Sequence, residues 1–141
     1  MNTTPNNAPP CYCITLRKAA RMLTNGYDAA LKDTGLRVTQ FSLLANIGRM
    51  EPVSFQALSE AILLERTTLV RNLEVLRRQG LIATGQDARA HVLTLTEKGR
   101  EALAAAIPHW EKAQERADAA LGDEERAVLC ALLAKMQAAF A

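Results

Sequence analysis

The chain has 141 residues, of which 49% are hydrophobic and 23% charged, enough for one compact domain with a core and too few for two independent ones. Met1 to Pro10 is polar and proline-rich, with neither a basic leader nor an apolar run, and no 18 apolar residues follow one another anywhere, so a soluble cytoplasmic chain that keeps off membranes is expected. Three cysteines, Cys11, Cys13 and Cys130, are too few and of the wrong parity for a secreted disulfide framework. The formal net charge is only +2, but Arg66 to Arg100 holds seven basic residues against three acidic ones, a surplus of four that leaves the remainder at minus two. A basic centre between neutral or acidic ends points to a polyanion-binding patch.

In chain order, residues 1–10 read as a flexible tail and residues 11–141 as a single domain. After Pro9-Pro10, the apolar residues Leu16, Ala19, Leu23, Tyr27, Ala30 and Leu31 recur at helical spacing up to a stop at Gly35, a helix of about five turns. Thr39 is placed to cap a second helix carrying Phe41, Leu44 and Ile47 and ending at Gly48, followed by a short extended piece at Val53. Ser54 caps a third helix, and a turn around Leu63 to Arg66 leads into a fourth, with Leu69, Val70, Leu73 and Leu76 as its apolar set and Gly80 as its end. The spacing of helices three and four is that of a helix-turn-helix. Leu81-Ile82-Ala83, a polar tip holding Gly85, Gln86, Asp87 and Ala88, and the alternating run His91 to Leu95 predict a two-stranded hairpin. Thr96 caps a fifth helix kinked at Pro108, and a break at Leu121-Gly122-Asp123 opens a sixth, with Leu129, Leu132, Leu133, Met136 and Phe140 on one stripe. The expected fold is mainly α with a small β-hairpin wing: a six-helix winged helix-turn-helix in which residues of about 39–96 form a DNA-binding lobe and helices within 11–35 and 97–141 form a dimerisation base.

The residue types on the lobe suit double-stranded DNA. Arg66, Thr67, Thr68 and Arg71 open the fourth helix, where short hydroxyls and a guanidinium reach base edges and phosphates in the major groove. Ser54 and Gln56 start the third helix, whose unpaired backbone N–H groups favour a phosphate. On the wing, Arg89 is suited to the narrow minor groove, with Asp87 two positions earlier to orient its guanidinium. Arg77 and Arg78, at the far end of the fourth helix, read as its solvated face or as weak phosphate contacts. The bland alternative, a charged solvated face throughout, is disfavoured because element order and charge placement agree.

The run Arg66-Thr67-Thr68-Leu69-Val70-Arg71-Asn72-Leu73-Glu74-Val75-Leu76 followed by Gln79-Gly80-Leu81-Ile82 is similar to the recognition helix of the MarR (multiple antibiotic resistance regulator) family of transcription factors. Asp87-Ala88-Arg89 and Leu93-Thr94-Leu95-Thr96-Glu97-Lys98-Gly99 resemble that family's wing and the entry to its fifth helix, so that the likeness extends over the whole chain from the first helix to the sixth. The resemblance implies a homodimeric regulator, a repressor, on a pseudo-palindromic operator, with an effector pocket between dimer base and lobe. One departure is that Ala88 stands where the family's tip carries arginine, on a wing that looks shortened. In members of the family that sense organic hydroperoxides, Cys13 matches the reactive cysteine and Tyr27 one of the tyrosines bonded to it, whereas Val38 and Phe41 stand where others are expected.

Cys11 and Cys13 lie at the start of the first helix, where the helix dipole favours a thiolate. They either sense an oxidant or pack in a helix seam. If both are helical they point apart, and a bridge between chains is the more feasible oxidised form. Cys130, among leucines, reads as a core residue. Trp110 and His109 could line an effector pocket, although a tryptophan at helical spacing suits a core equally. With only His91 and His109, no zinc cluster can be assembled, and neither a phosphate loop nor a cofactor motif is present. A small phenolic or oxidant effector is the expected signal. Two other classes stay open: a thiol-based redox enzyme using Cys13, for which no activating base is spaced, and a winged helix that binds only other proteins.

Overall fold

The computed structural model describes residues 9–87 and 90–141. Its elements are α1 (Tyr12–Leu31), a 3-10 turn (Lys32–Thr34), α2 (Val38–Met50), β1 (Val53–Ser54), α3 (Phe55–Ile62), α4 (Arg66–Arg78), β2 (Ile82–Asp87), β3 (Ala90–Leu95) and α5 (Glu97–Ala139). This is a mainly helical winged helix-turn-helix, as the sequence pattern predicts, and the long α5 consists of two helical stretches that meet at the break expected around Gly122. The expected fifth and sixth helices form one 43-residue element divided at Gly122, whose φ of 75° and ψ of 168° turn the backbone out of helical geometry. Arg126 donates to Asp118 across that break at 3.2 Å. Pro108 lies inside α5 with helical dihedrals on either side, and Gly122 is where the dihedrals leave the helical region, at the break expected from the sequence.

Two other boundaries differ from expectation. α2 starts at Val38, with Arg37 rather than Thr39 in the capping position; the Arg37 amide donates to Gln40 Oε1 at 3.1 Å, and Asp28 of α1 accepts from the Val38 amide at 2.7 Å. Gly48 does not end α2. A Cβ there would meet Leu95 Cδ1 at 2.9 Å, so glycine serves close packing against β3 while the helix runs on to Met50, just short of Pro52.

The sheet has three antiparallel strands in the order β1-β3-β2, one more than the predicted hairpin. Val53 pairs with Leu93 and Ile82 with Leu95, which puts four buried apolar side chains on one sheet face. β2 extends through Gly85 and Gln86, assigned to the tip from the sequence, as far as the Asp87–Ala90 pair. The core joins Leu31, Leu43, Leu44 and Ile47 to Leu58 and to Leu69, Leu73 and Leu76. Trp110 of α5 stacks on Phe41 with ring centroids 5.5 Å apart, which makes it a packing residue.

The ends of α1 and α5 differ from this core. Tyr12, Ile14, Met22 and Leu23 of α1, Val128, Leu129 and Leu132 of α5, and Phe140 just beyond it, are all exposed, as is Cys130, expected to be buried. No helix among the described residues is long and apolar enough to cross a membrane.

Candidate nucleic-acid interface

Two short helices build the site. Ser54 caps α3 by accepting from the Ala57 amide at 3.1 Å, as its position predicts. α3 ends at Leu63, an exposed leucine in the left-handed region at φ 55°, and Leu64 and Glu65 complete the turn into α4. α4 stops in a Schellman motif: Gly80, at φ 74°, donates to Arg77 O and Leu81 to Leu76 O, each at 3.0 Å.

With Leu69, Leu73 and Leu76 turned into the core, α4 presents Arg66, Thr67 and Arg71 to solvent, while Thr68 is half-buried. The Arg66 guanidinium lies over the Phe55 ring at 5.1 Å, a contact that orients it at the junction of the two helices. Arg71 makes no ion pair among the described residues. Arg77 and Arg78 both reach Glu74, at 2.7 and 3.6 Å, in line with their reading as a solvated face. The Arg77 hydrogen bond, more than its charge, holds the Glu74 carboxyl below its ordinary range. Gln56 is exposed, and its amide donates to Glu60 at 3.2 Å. The Arg66–Phe55 contact sets the start of α4, with Arg66 and Thr67, beside the start of α3, with Ser54 and Gln56, while Arg71 lies further along α4. Asp87 closes β2, and Arg89 and the wing tip lie outside the described residues.

Sequence reasoning placed Val70 in the buried stripe, but it is 48% exposed, on the flank of α4 that carries Arg66. It also passed over Glu51. That carboxylate accepts from the Leu95 amide at 2.7 Å and pairs with Arg100 at 2.5 Å, tying the end of α2 to the root of the wing and to the first turns of α5. No local pattern announces a contact between residues 44 positions apart.

The sensing candidates are separated. Cys11, in extended geometry, precedes the first turn of α1 and Cys13 lies in it, both exposed. Tyr27 is fourteen residues further along the same helix, about 21 Å from Cys13. No bond between them forms within one chain; instead the Tyr27 hydroxyl donates to Gln114 of α5. Burial, and secondarily the Asp118 charge, push the Tyr27 phenol above its ordinary pKa.

The geometry has close counterparts. The transcriptional regulator MosR of Mycobacterium tuberculosis is 44% identical, with a TM-score of 0.80 over 92% of this chain and 95% of that one. MosR in complex with DNA matches at 43% identity and a TM-score of 0.77, over 92% and 98%. An uncharacterized HTH-type transcriptional regulator of Bacillus cereus is 31% identical over 107 residues, 75% of this chain and 73% of its own. A family model described as MarR family matches residues 34–90. The chain belongs to the MarR family. It is a DNA-binding transcriptional regulator, and with that the reading as a thiol enzyme falls. MarR-type folds with less sequence likeness include the repressor CouR bound to p-coumaroyl-CoA, 24% identical with a TM-score of 0.81 over 90% of this chain and 91% of that one.

Proposed function

We propose that this MarR-family chain is a cytoplasmic homodimeric repressor that lays α4 in the major groove of a pseudo-palindromic operator and is released by a small-molecule or oxidative signal. The observation that carries the reading is the outward face of α4, where Arg66, Thr67 and Arg71 stand exposed on a helix anchored by three buried leucines. MosR, 43% identical, crystallised with DNA, which supports the same use of the same lobe. Thr68 and Arg71 serve base edges or phosphates from α4, Ser54 and Gln56 serve phosphates from the start of α3, and Arg89, supported by Asp87, serves the minor groove. Dimerisation is supported by the exposed apolar residues of α1 and the end of α5, which one chain leaves uncovered.

Two features bear on the signal. A cavity of about 650 Å³ opens between α1 and α5, walled by Leu23, Ala30 and Ala117 and edged by Tyr27, Lys112 and Arg116. Apolar walls with two cations suit a small phenolic acid. The exposed thiols of Cys11 and Cys13 support an oxidant.

The test selects duplexes from random sequence with the purified protein and measures their affinity across salt concentrations, then repeats the measurement with reductant, a hydroperoxide or phenolic acids. Binding that weakens steeply with salt and is impaired by Arg71→Ala is expected. Failure to retain any duplex at low salt would overturn the reading. Release by a phenolic acid with no response to hydroperoxide would assign the signal to the cavity, and the reverse to the thiols.

A further inference from the structure

α4 carries one feature that phosphate contacts do not explain. Its outward residues Arg66, Thr67, Arg71, Glu74, Arg77 and Arg78 are charged or hydroxylated, as water or DNA requires. Val70 lies among them, 48% exposed, one helical turn from Arg66 and from Glu74 and three residues from Thr67. Its neighbours in sequence explain why it cannot be covered from within: Leu69 and Leu73 take the core-facing positions, and successive helical residues diverge by about 100°. A β-branched side chain is also a weak helix former, so propensity gives no reason for it at a solvated position.

Resting on the DNA-binding reading proposed above, we infer that Val70 is a specificity-determining residue that packs its methyl groups against the C5-methyl of a thymine in the major groove. The occupant follows from the surroundings. A patch for a protein partner needs a contiguous apolar area, whereas on the outward face of α4 Val70 is flanked by Arg66, whose guanidinium is held over Phe55, and by Arg71, which makes no ion pair among the described residues. Those cations favour a polyanion, and the thymine methyl is the apolar group that the major groove of such a polyanion presents. The two methyls of valine branch at Cβ and sit close to the helix backbone, within reach of a base only when the helix itself enters the groove. Arg66 and Arg71 would hold the helix in register while Val70 discriminates thymine from the bases that offer no methyl.

The experiment uses the full chain and a duplex selected from random sequence. Each thymine is replaced singly by deoxyuridine, which removes the methyl and leaves every hydrogen-bonding group in place, and affinity is measured at one salt concentration for wild type and Val70→Ala. One thymine per half-site is expected whose replacement weakens wild-type binding about threefold to fivefold, the burial of one methyl group. Val70→Ala should bind the parent duplex weaker by a similar factor and be indifferent to that replacement, with unchanged thermal melting because the position is exposed. Wild type that responds to no thymine replacement, or Val70→Ala that keeps full sensitivity at the same thymine, would overturn the inference while leaving DNA binding standing. Failure to select any duplex would instead overturn the DNA-binding reading and this inference with it.

Discussion

Replacing Gly99 by alanine tests how rigidly the reading lobe is fixed to α5. A Cβ at Gly99 would lie 1.9 Å from the Leu81 carbonyl oxygen and 2.9 Å from its carbon, both backbone atoms. That oxygen already accepts from the Thr96 amide at 3.1 Å, so it cannot retreat without losing a hydrogen bond worth about 1 kcal/mol. Overpacking adds about 1–3 kcal/mol, and better helix propensity returns about 1 kcal/mol. The net expectation is a loss of about 1–3 kcal/mol, seen as a lower urea midpoint at unchanged slope and fixed protein concentration. Gly48→Ala is the control. Its closest neighbour is the movable end of the Leu95 side chain at 2.9 Å, so propensity and repacking oppose each other and the midpoint should move by less than about 1 kcal/mol. A Gly99→Ala protein as stable as wild type would refute the close approach of α5 to the start of β2.

Three further outcomes follow from individual contacts. Arg71→Ala should weaken operator binding about tenfold to a hundredfold and relax preference at one base pair per half-site, measured by competition among single-site variants of the operator; a uniform loss across all variants would reassign Arg71 to phosphate. Glu51→Ala leaves the Leu95 amide without its acceptor and should cost about 1–3 kcal/mol, whereas Glu51→Gln keeps an acceptor and loses only a half-exposed ion pair with Arg100, about 1 kcal/mol or less. Equal effects in urea titrations would show that the ion pair, not the hydrogen bond, holds the wing root. Because the Tyr27 phenol titrates above its ordinary value near 10, its contribution is complete below that pH and is lost as pH rises through the higher folded-state value, so stability should fall on the alkaline side. Tyr27→Phe should flatten that alkaline limb in pH-dependent melts, and an unchanged limb would count against the buried hydroxyl.

Helices with a one-sided apolar stripe and a local stop were legible in the sequence. Gly80 ended α4 as expected because a left-handed residue after the last turn is a local requirement that glycine meets. Gly48 was misleading for a related reason: the same absence of a Cβ served a neighbour, Leu95, that lies far along the chain. Val70 adjoins Leu69, and two successive apolar residues leave their faces ambiguous until the partners of the helix are known. β1, two residues long, is too short to carry an alternating pattern and exists through its pairing with β3. Cys130 was assigned to a core from its leucine neighbours, but Leu129 and Leu132 are themselves exposed, so apolar neighbours on a helix do not by themselves bury a residue between them. For the candidate interface, residue type and position on α4 were enough to expect Arg66, Thr67 and Arg71 on its exposed face, whereas Glu51 acts through a fold-made contact that leaves no trace in local spacing.

The contacts at the head of α5 decide what a change in that helix does to the lobe. Thr96 Oγ1 donates to Gly80 O at 2.5 Å, Lys98 Nζ donates to Gln79 O at 2.9 Å, and Arg100 pairs with Glu51, whose other oxygen holds the Leu95 amide. The first two bonds fasten the end of α4, and the last pair fastens the root of the wing. The end of α4 and the root of the wing are therefore tied to the same turn of α5, where Gly99 approaches the Leu81 backbone closely. Gln114, which holds Tyr27, lies fourteen residues along α5 from Arg100, about 21 Å away on a helix that stays regular as far as Gly122. A tilt of roughly 10° about the Tyr27 contact would carry the head of α5 by about 4 Å, between the helix shifts of about 1–2 Å and the one-turn ratchets of about 5.4 Å that switch other regulated proteins. Under the proposed function, α4 and the wing root would travel together, so a signal acting between α1 and α5 would alter the placement of the whole lobe on DNA rather than the wing alone. Loosening the junction with Glu51→Ala should then weaken the coupling between effector and operator more than it weakens operator binding itself.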